Sequence, residues 1–227
     1  MIRTYRALSA LLTYPTAELA AATGEIEQAL AADGLIPAPE RAALRPLLDG
    51  LRRGDLLDAQ ERYVDLFDRC PSLSLHLFQH VHGDSRDRGQ AMIELGQLYS
   101  QHGLEISTRE LPDFLPLYLE FLAEQPPREA CSMLQDVGTI LNALHGRLVR
   151  RQTPYAAPIA ALLAIAGIEP ETPAVADEDQ DSPEALDRAW EDREVRFTAE
   201  DAGTTSGCSK AAAMVRRMET FGRGDTP

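Results

Sequence analysis

The chain has 227 residues and a formal net charge of −14, with 36 acidic against 22 basic side chains. So acidic a chain, with no basic stripe, repels phosphate backbones and argues against a nucleic-acid-binding protein. Three scattered cysteines (Cys70, Cys131, Cys208) form neither a CxxC pair nor an even disulfide framework, so a reduced cytosolic protein is expected.

The N-terminus MIRTYRALSALLTYPT has two arginines before an apolar run that is too short for a signal-peptide core. No stretch approaches the roughly 18–20 apolar residues of a membrane span. Alternating β-branched runs are missing and Ala, Leu, Glu, Arg and Gln dominate, so the expectation is all-α. About eight helices should form a single compact domain over residues 1–168. In chain order they are Ile2 to Thr13, Ala17 to Ala32, Glu40 to Arg52 after the stiff Pro37-Ala38-Pro39, and Asp55 to Asp68. A helix capped by Asp84 or Ser85 follows, its buried face marked by Ala91, Met92, Leu95, Leu98 and Tyr99, and Gly103 stops it. Asp113 is placed to cap a short helix from Phe114 to Glu124, with Pro116 tolerated in its first turn. Glu129 to Arg151 reads as the longest helix, and Tyr155 to Gly167 as the last.

Composition changes at Glu169. Between Glu169 and Asp201 thirteen carboxylates face three arginines, which places ten of the fourteen net negative charges in that window. Such a segment predicts disorder, and residues 169–227 are read as a mostly disordered acidic tail. A candidate docking segment interrupts it at 186–197. Trp190, Val195 and Phe197 have no reason to sit in water there, and docking back onto the helical domain is the expectation.

The densest chemistry lies between Glu61 and Gly103, which holds four of the five histidines. His76 and His80 stand at i, i+4, the spacing of the metalloprotease motif, but Leu77 occupies the place of the general-base Glu. No third ligand is fixed by spacing, although Cys70 or His82 could be recruited. A metal-binding enzyme using His76, His80 and Cys70 therefore stays open only as a minor alternative. The corner Gly83-Asp84-Ser85-Arg86-Asp87-Arg88-Gly89 lacks the Lys-Ser/Thr of a phosphate loop, and its aspartates repel phosphate. It reads either as a capped helix start with Arg–Asp pairs or as a partner-binding corner. The apolar Leu111 to Leu122 segment reads as core or, in part, as the wall of a groove for an amphipathic helix, with Glu110, Asp113 and Glu120 as an acidic rim.

Three blocks resemble the NarJ family of nitrate reductase molybdenum cofactor assembly chaperones. The first holds Tyr63-Val64-x-x-Phe67-Asp68, Ser72-Leu73-x-Leu75 and His80-Val81-x-Gly83-Asp84-Ser85-Arg86-x-Arg88-Gly89-x-Ala91-Met92. The second runs from Glu110 to Phe121 as ELPDFLPLYLEF, and the third is Leu186-Asp187-x-Ala189-Trp190-Glu191-x-x-x-Val195-x-Phe197. The resemblance implies a cytoplasmic helical chaperone that is not an enzyme and carries no cofactor of its own. Its implied client is the apo catalytic subunit of a membrane-bound respiratory nitrate reductase, bound through its N-terminal peptide. The client is held for molybdenum cofactor and iron–sulfur cluster insertion, and the chaperone is absent from the mature enzyme. Cofactor-insertion proteins are admitted as further partners, and a chaperone for a different molybdoenzyme is the alternative. The residues assigned to client-peptide binding are Tyr63, Phe67, Asp68, His80, Arg86, Arg88, Asp113, Leu115, Tyr118 and Glu120. Tyr63, Phe67, Leu115 and Tyr118 are expected to build the groove.

Overall fold

The computed structural model describes residues 2–82, 86–106 and 110–170, with side chains described outside 82–87. The expected acidic tail, its docking segment at 186–197 and the caps Asp84 and Ser85 lie outside the described residues. Within them the chain is all-α, and the only extended pairing is one antiparallel bridge between His76 and Phe114.

The first helix, α1 (Arg3–Leu11), is the central staple. It packs most extensively on α9 (Leu115–Glu124) and next on α3 (Thr23–Ala32). Tyr5, Leu8, Leu11 and Leu12 are all buried. Both ends of the α1–α9 pair are pinned by polar contacts. The Ile2 N–H donates to the Ala123 carbonyl at 2.7 Å, and buried Ser9 Oγ donates to the Pro116 carbonyl at 2.8 Å. Asp33, just past α3, accepts from the Thr4 N–H at 2.8 Å and the Thr4 hydroxyl at 3.1 Å. A carboxylate at a helix N-terminus also meets the favourable end of the helix dipole.

Three of the expected helices are broken in two. The second divides into α2 (Ala17–Ala21), capped by Thr16, and α3. The third divides into α4 (Ala38–Ala43) and α5 (Arg45–Arg53), where Pro46 has no N–H to continue the ladder. The longest expected helix divides into α10 (Pro127–Asp136) and α11 (Gly138–Arg150). A Cβ on Gly138 would collide with Ile168 Cδ1, so glycine at the break lets the end of the last helix close over it. That last helix, α12 (Ala156–Ala166), is apolar on every side and packs against α11, α10 and α4. Gly167 ends it at φ 69°, a left-handed conformation that suits glycine.

The fourth expected helix begins as read. Asp55 caps α6 (Leu56–Tyr63) by accepting from the Leu57 N–H at 2.8 Å. Its continuation over Val64–Asp68 is a π-helical turn, in which the Arg69 N–H reaches the Val64 carbonyl at 3.0 Å. Such turns carry one extra residue and cluster at functional sites. A 3₁₀ turn (Pro71–Leu73), the short α7 (Gln79–His82) and α8 (Arg86–Gln101) follow.

Asp113 does not cap α9, contrary to its sequence setting. Phe114 holds the N-cap position without a side-chain bond. Of the first donors of α9, the Leu115 N–H is taken by the Leu75 carbonyl at 2.8 Å and Pro116 has none. The Asp113 carboxylate turns instead into the protein.

Candidate functional site

Two loops meet at one end of the helical body, the segment after the π turn (residues 69–78) and the segment before α9 (residues 110–114). They run antiparallel. The Leu77 N–H donates to the Asp113 carbonyl at 2.9 Å, and the Leu115 N–H returns to Leu75. At the centre of this seam is the Asp113 side chain, which is fully buried. One oxygen, Oδ1, lies 3.2 Å from His76 Nδ1; the other accepts from the Phe78 N–H at 3.2 Å and from Arg88 at 3.5 Å. One carboxylate thus ties both loops to the first turns of α8. Tyr99, deeper in α8, donates its hydroxyl to the Pro112 carbonyl at 2.9 Å. From the opposite side, Arg147 of α11 donates to the Ser72 carbonyl at 2.8 Å.

His80 completes this corner. Its Nε2 stands 2.7 Å from the Ser74 carbonyl, so the neutral ring with a proton on Nε2 is the donor. Burial lowers its pKa below the ordinary histidine value, and Arg147 and His76 push the same way, against the Ser74 bond and Asp113. Because protonation is easier in the unfolded chain, stability is full above pH 6.5 and falls as the pH drops through the folded-state pKa. His145 adds a second contribution of the same sign, through desolvation. Urea titrations between pH 7.5 and 5 are expected to show this decline, with a shallower slope for His80→Gln than for the wild type.

Beside the seam is an aromatic cluster. Tyr63 packs on Phe67 with centroids 4.9 Å apart, Phe67 meets Tyr155 edge-on at 5.1 Å, and Tyr14 meets Tyr63 edge-on at 5.7 Å. The Tyr63 hydroxyl donates to the Leu12 carbonyl at 3.0 Å, anchoring the π turn to the end of α1. Burial raises the Tyr63 phenol pKa well above its ordinary value, and the charges of Asp68 and Glu110, as well as Tyr155, raise it further. Two exposed carboxylates therefore flank the cluster.

The ten expected client-binding residues separate on inspection. The structure brings together His80, Arg88 and Asp113 at the seam, and Tyr63, Phe67 and Asp68 at the cluster. Leu115 and Tyr118 are fully buried, and the Tyr118 hydroxyl donates to the Met133 carbonyl at 2.8 Å. They are core, not walls of an open groove, because α9 is covered by both α1 and α10. Asp113 likewise is no rim, being buried within the seam. Tyr63 and Phe67, at 5% and 6% exposure, present only edges. Glu120 is exposed on α9, and no described bond joins it to the seam. The Arg86 side chain lies outside the described residues.

Two apolar side chains on this end are exposed, Leu111 at 41%, which the sequence reading placed in the apolar Leu111 to Leu122 segment, and Ile93 at 56%, which it did not single out. Leu111 directly precedes Pro112, whose ring faces Gly96, one turn after Ile93. The position of Leu111 directly before Pro112, outside the helical period of α9, was the available signal. Among the candidate ligands, Cys70 Sγ donates to the Asp65 carbonyl, His76 faces Asp113 and His80 faces Ser74, while the His82 side chain lies outside the described residues. Among the described residues, no group of three or more His, Cys, Asp or Glu converges on a common point.

The family model described as "nitrate reductase delta subunit" matches residues 16–161, which include the π turn, the seam, and Tyr63, Phe67 and Tyr155 of the aromatic cluster. The chain belongs to that family. It is 44% identical over 220 residues to the Escherichia coli K12 protein named nitrate reductase molybdenum cofactor assembly chaperone NarJ, covering 95% of this chain and 91% of that one. It is 43% identical over 173 residues to the probable chaperone NarW of the same organism, covering 74% of each chain. A probable NarJ of Bacillus subtilis is 29% identical over 164 residues, covering 71% of this chain and 86% of the relative. As a NarJ-family protein, the chain carries its π turn and its seam inside the matched residues. Among its described residues, no helix is long and apolar enough to cross a membrane.

Proposed function

We propose that this protein is a cytoplasmic assembly chaperone that binds the N-terminal segment of the apo catalytic subunit of a respiratory nitrate reductase. It holds that subunit competent for molybdenum cofactor and iron–sulfur cluster insertion and is left out of the mature enzyme. The observation that carries the reading is the 44% identity to a named NarJ chaperone over nearly the full length of both chains. Chaperoning of this kind needs only tighter binding to the immature client than to the loaded one.

The client segment binds at the seam end of the molecule. What supports this is the pairing of exposed Leu111 and Ile93 with the carboxylates of Asp68 and Glu110, beside the edges of Tyr63 and Phe67. An amphipathic helix with basic flanks suits such a surface, and the carboxylates speed encounter more than they add affinity. Asp113, Arg88 and His80 hold the surface in shape from beneath. Leu115 and Tyr118 support it from the core, and Glu120 and Arg86 are assigned to its periphery.

Calorimetric titration with a synthetic client N-terminal peptide tests the reading, with a scrambled peptide as control. Saturable one-to-one binding that weakens with added salt is expected. Leu111→Asp and Ile93→Asp should each weaken it by about tenfold or more, the effect of losing one buried apolar anchor, with the helical circular dichroism unchanged. Binding that ignores both substitutions would overturn the site, and no binding by the folded wild type would overturn the client.

A further inference from the structure

We propose that the groove between α1 and α3 is the docking site for the chain's own segment Leu186–Phe197. The groove runs between α1 and α3 and is open to solvent. Its floor is Ala7, Ala10, Ile26 and Ala29, and its volume is about 680 Å³, room for several side chains of a docked helix. Small floor residues let a third helix approach closely. The two rims differ in charge. Arg3 stands on the α1 side, next to Arg6, which is paired with Glu124 of α9, and Glu25 stands on the α3 side.

The segment matches this arrangement when its residues are spaced as a helix. Leu186, Ala189, Trp190 and Phe197 fall on one face, at i, i+3, i+4 and i+11, with the long side chain of Arg193 among them and Val195 on the opposite side. One flank of that face carries Asp187, Glu191 and Glu194, and the other carries Arg196 together with Asp192. The acidic flank thus meets Arg3 while Arg196 meets Glu25. Ser182-Pro183-Glu184 supplies a helix start, with serine as cap and proline in the first turn.

Reach is sufficient. The end of α12 is fixed on α10, where Gln135 Nε2 donates to the Ala166 carbonyl at 2.9 Å. The fifteen residues Glu171–Ala185 then span up to about 50 Å when extended. A domain of this size is about 40 Å across. A tether of that length gives an effective concentration of about a millimolar, so a weak contact is populated. This docking stands whether or not the client reading holds.

Trp190 is the chain's one tryptophan, so its fluorescence reports on this segment alone. In the full chain its emission is expected to be blue-shifted, and its iodide quenching reduced, relative to a free peptide of residues 182–199. Ala29→Arg, at a half-buried helical position that tolerates arginine, should lower the docked-to-undocked ratio by about tenfold and restore quenching. Leu186→Asp should do the same from the tail side, without touching the helical domain. Quenching equal to that of the free peptide would overturn the proposal. Protection that survives Ala29→Arg would place the segment elsewhere and overturn it too. So would protection that grows with protein concentration alongside a doubled mass, since the occupant would then be a second copy's tail.

Discussion

Asp113→Ala is expected to lower the unfolding free energy by about 3–4 kcal/mol, the cost of removing one partner from a buried charge pair. The carboxylate is fully buried, and its removal strips a hydrogen bond from the Phe78 N–H and leaves Arg88 and His76 without their common acceptor. Arg88 already has a buried Nε with no partner, so the loss falls on a group with little else to turn to. Asp113→Asn keeps the shape and one acceptor oxygen and is expected to cost about half as much. Urea denaturation measures both. An alanine variant within about 0.5 kcal/mol of wild type, the range of an ordinary surface change, would mean that the seam is held by its two backbone bonds alone.

Tyr118→Ala is expected to cost about 4 kcal/mol, within the range for deleting a large aromatic side chain from a core. Tyr118→Phe should cost about 1 kcal/mol, the worth of one buried hydrogen bond to the Met133 carbonyl. The pair of variants separates packing from the hydroxyl. It also decides the role of α9, because a groove-lining tyrosine would lose peptide binding on truncation while keeping most of its stability.

The difference between these two residues explains how far the sequence could be followed. Local signals held: Asp55 caps α6, Gly167 ends α12, and Leu119, Phe121 and Leu122 are buried as the all-round apolar pattern of that segment implies. The breaks at Ala22, Leu44 and Val137 were overlooked. Helical periodicity continues across each of them, and only Pro46 and Gly138 mark two of the three. Asp113 was misread for another reason. Its neighbours in sequence make it look like a cap, whereas its partners His76 and Phe78 are 37 and 35 residues away. The groove residues failed in the same way: Leu115 and Tyr118 are apolar and near the family's characteristic corner, but periodicity does not say what covers a helix.

The pairing of α1 with α9 bears on how the chain is made. Arg6 and Glu124, 2.6 Å apart across this interface, are separated by 118 positions in the chain. At about 5–20 residues per second, the ribosome needs roughly 6–24 s to deliver α9 after α1 has emerged. Throughout that interval Tyr5, Leu8, Leu11 and Leu12 have no permanent partner on that side. This face of α1 is therefore closed late, and until α9 arrives it is an exposed apolar surface of the kind that makes nascent chains prone to aggregate.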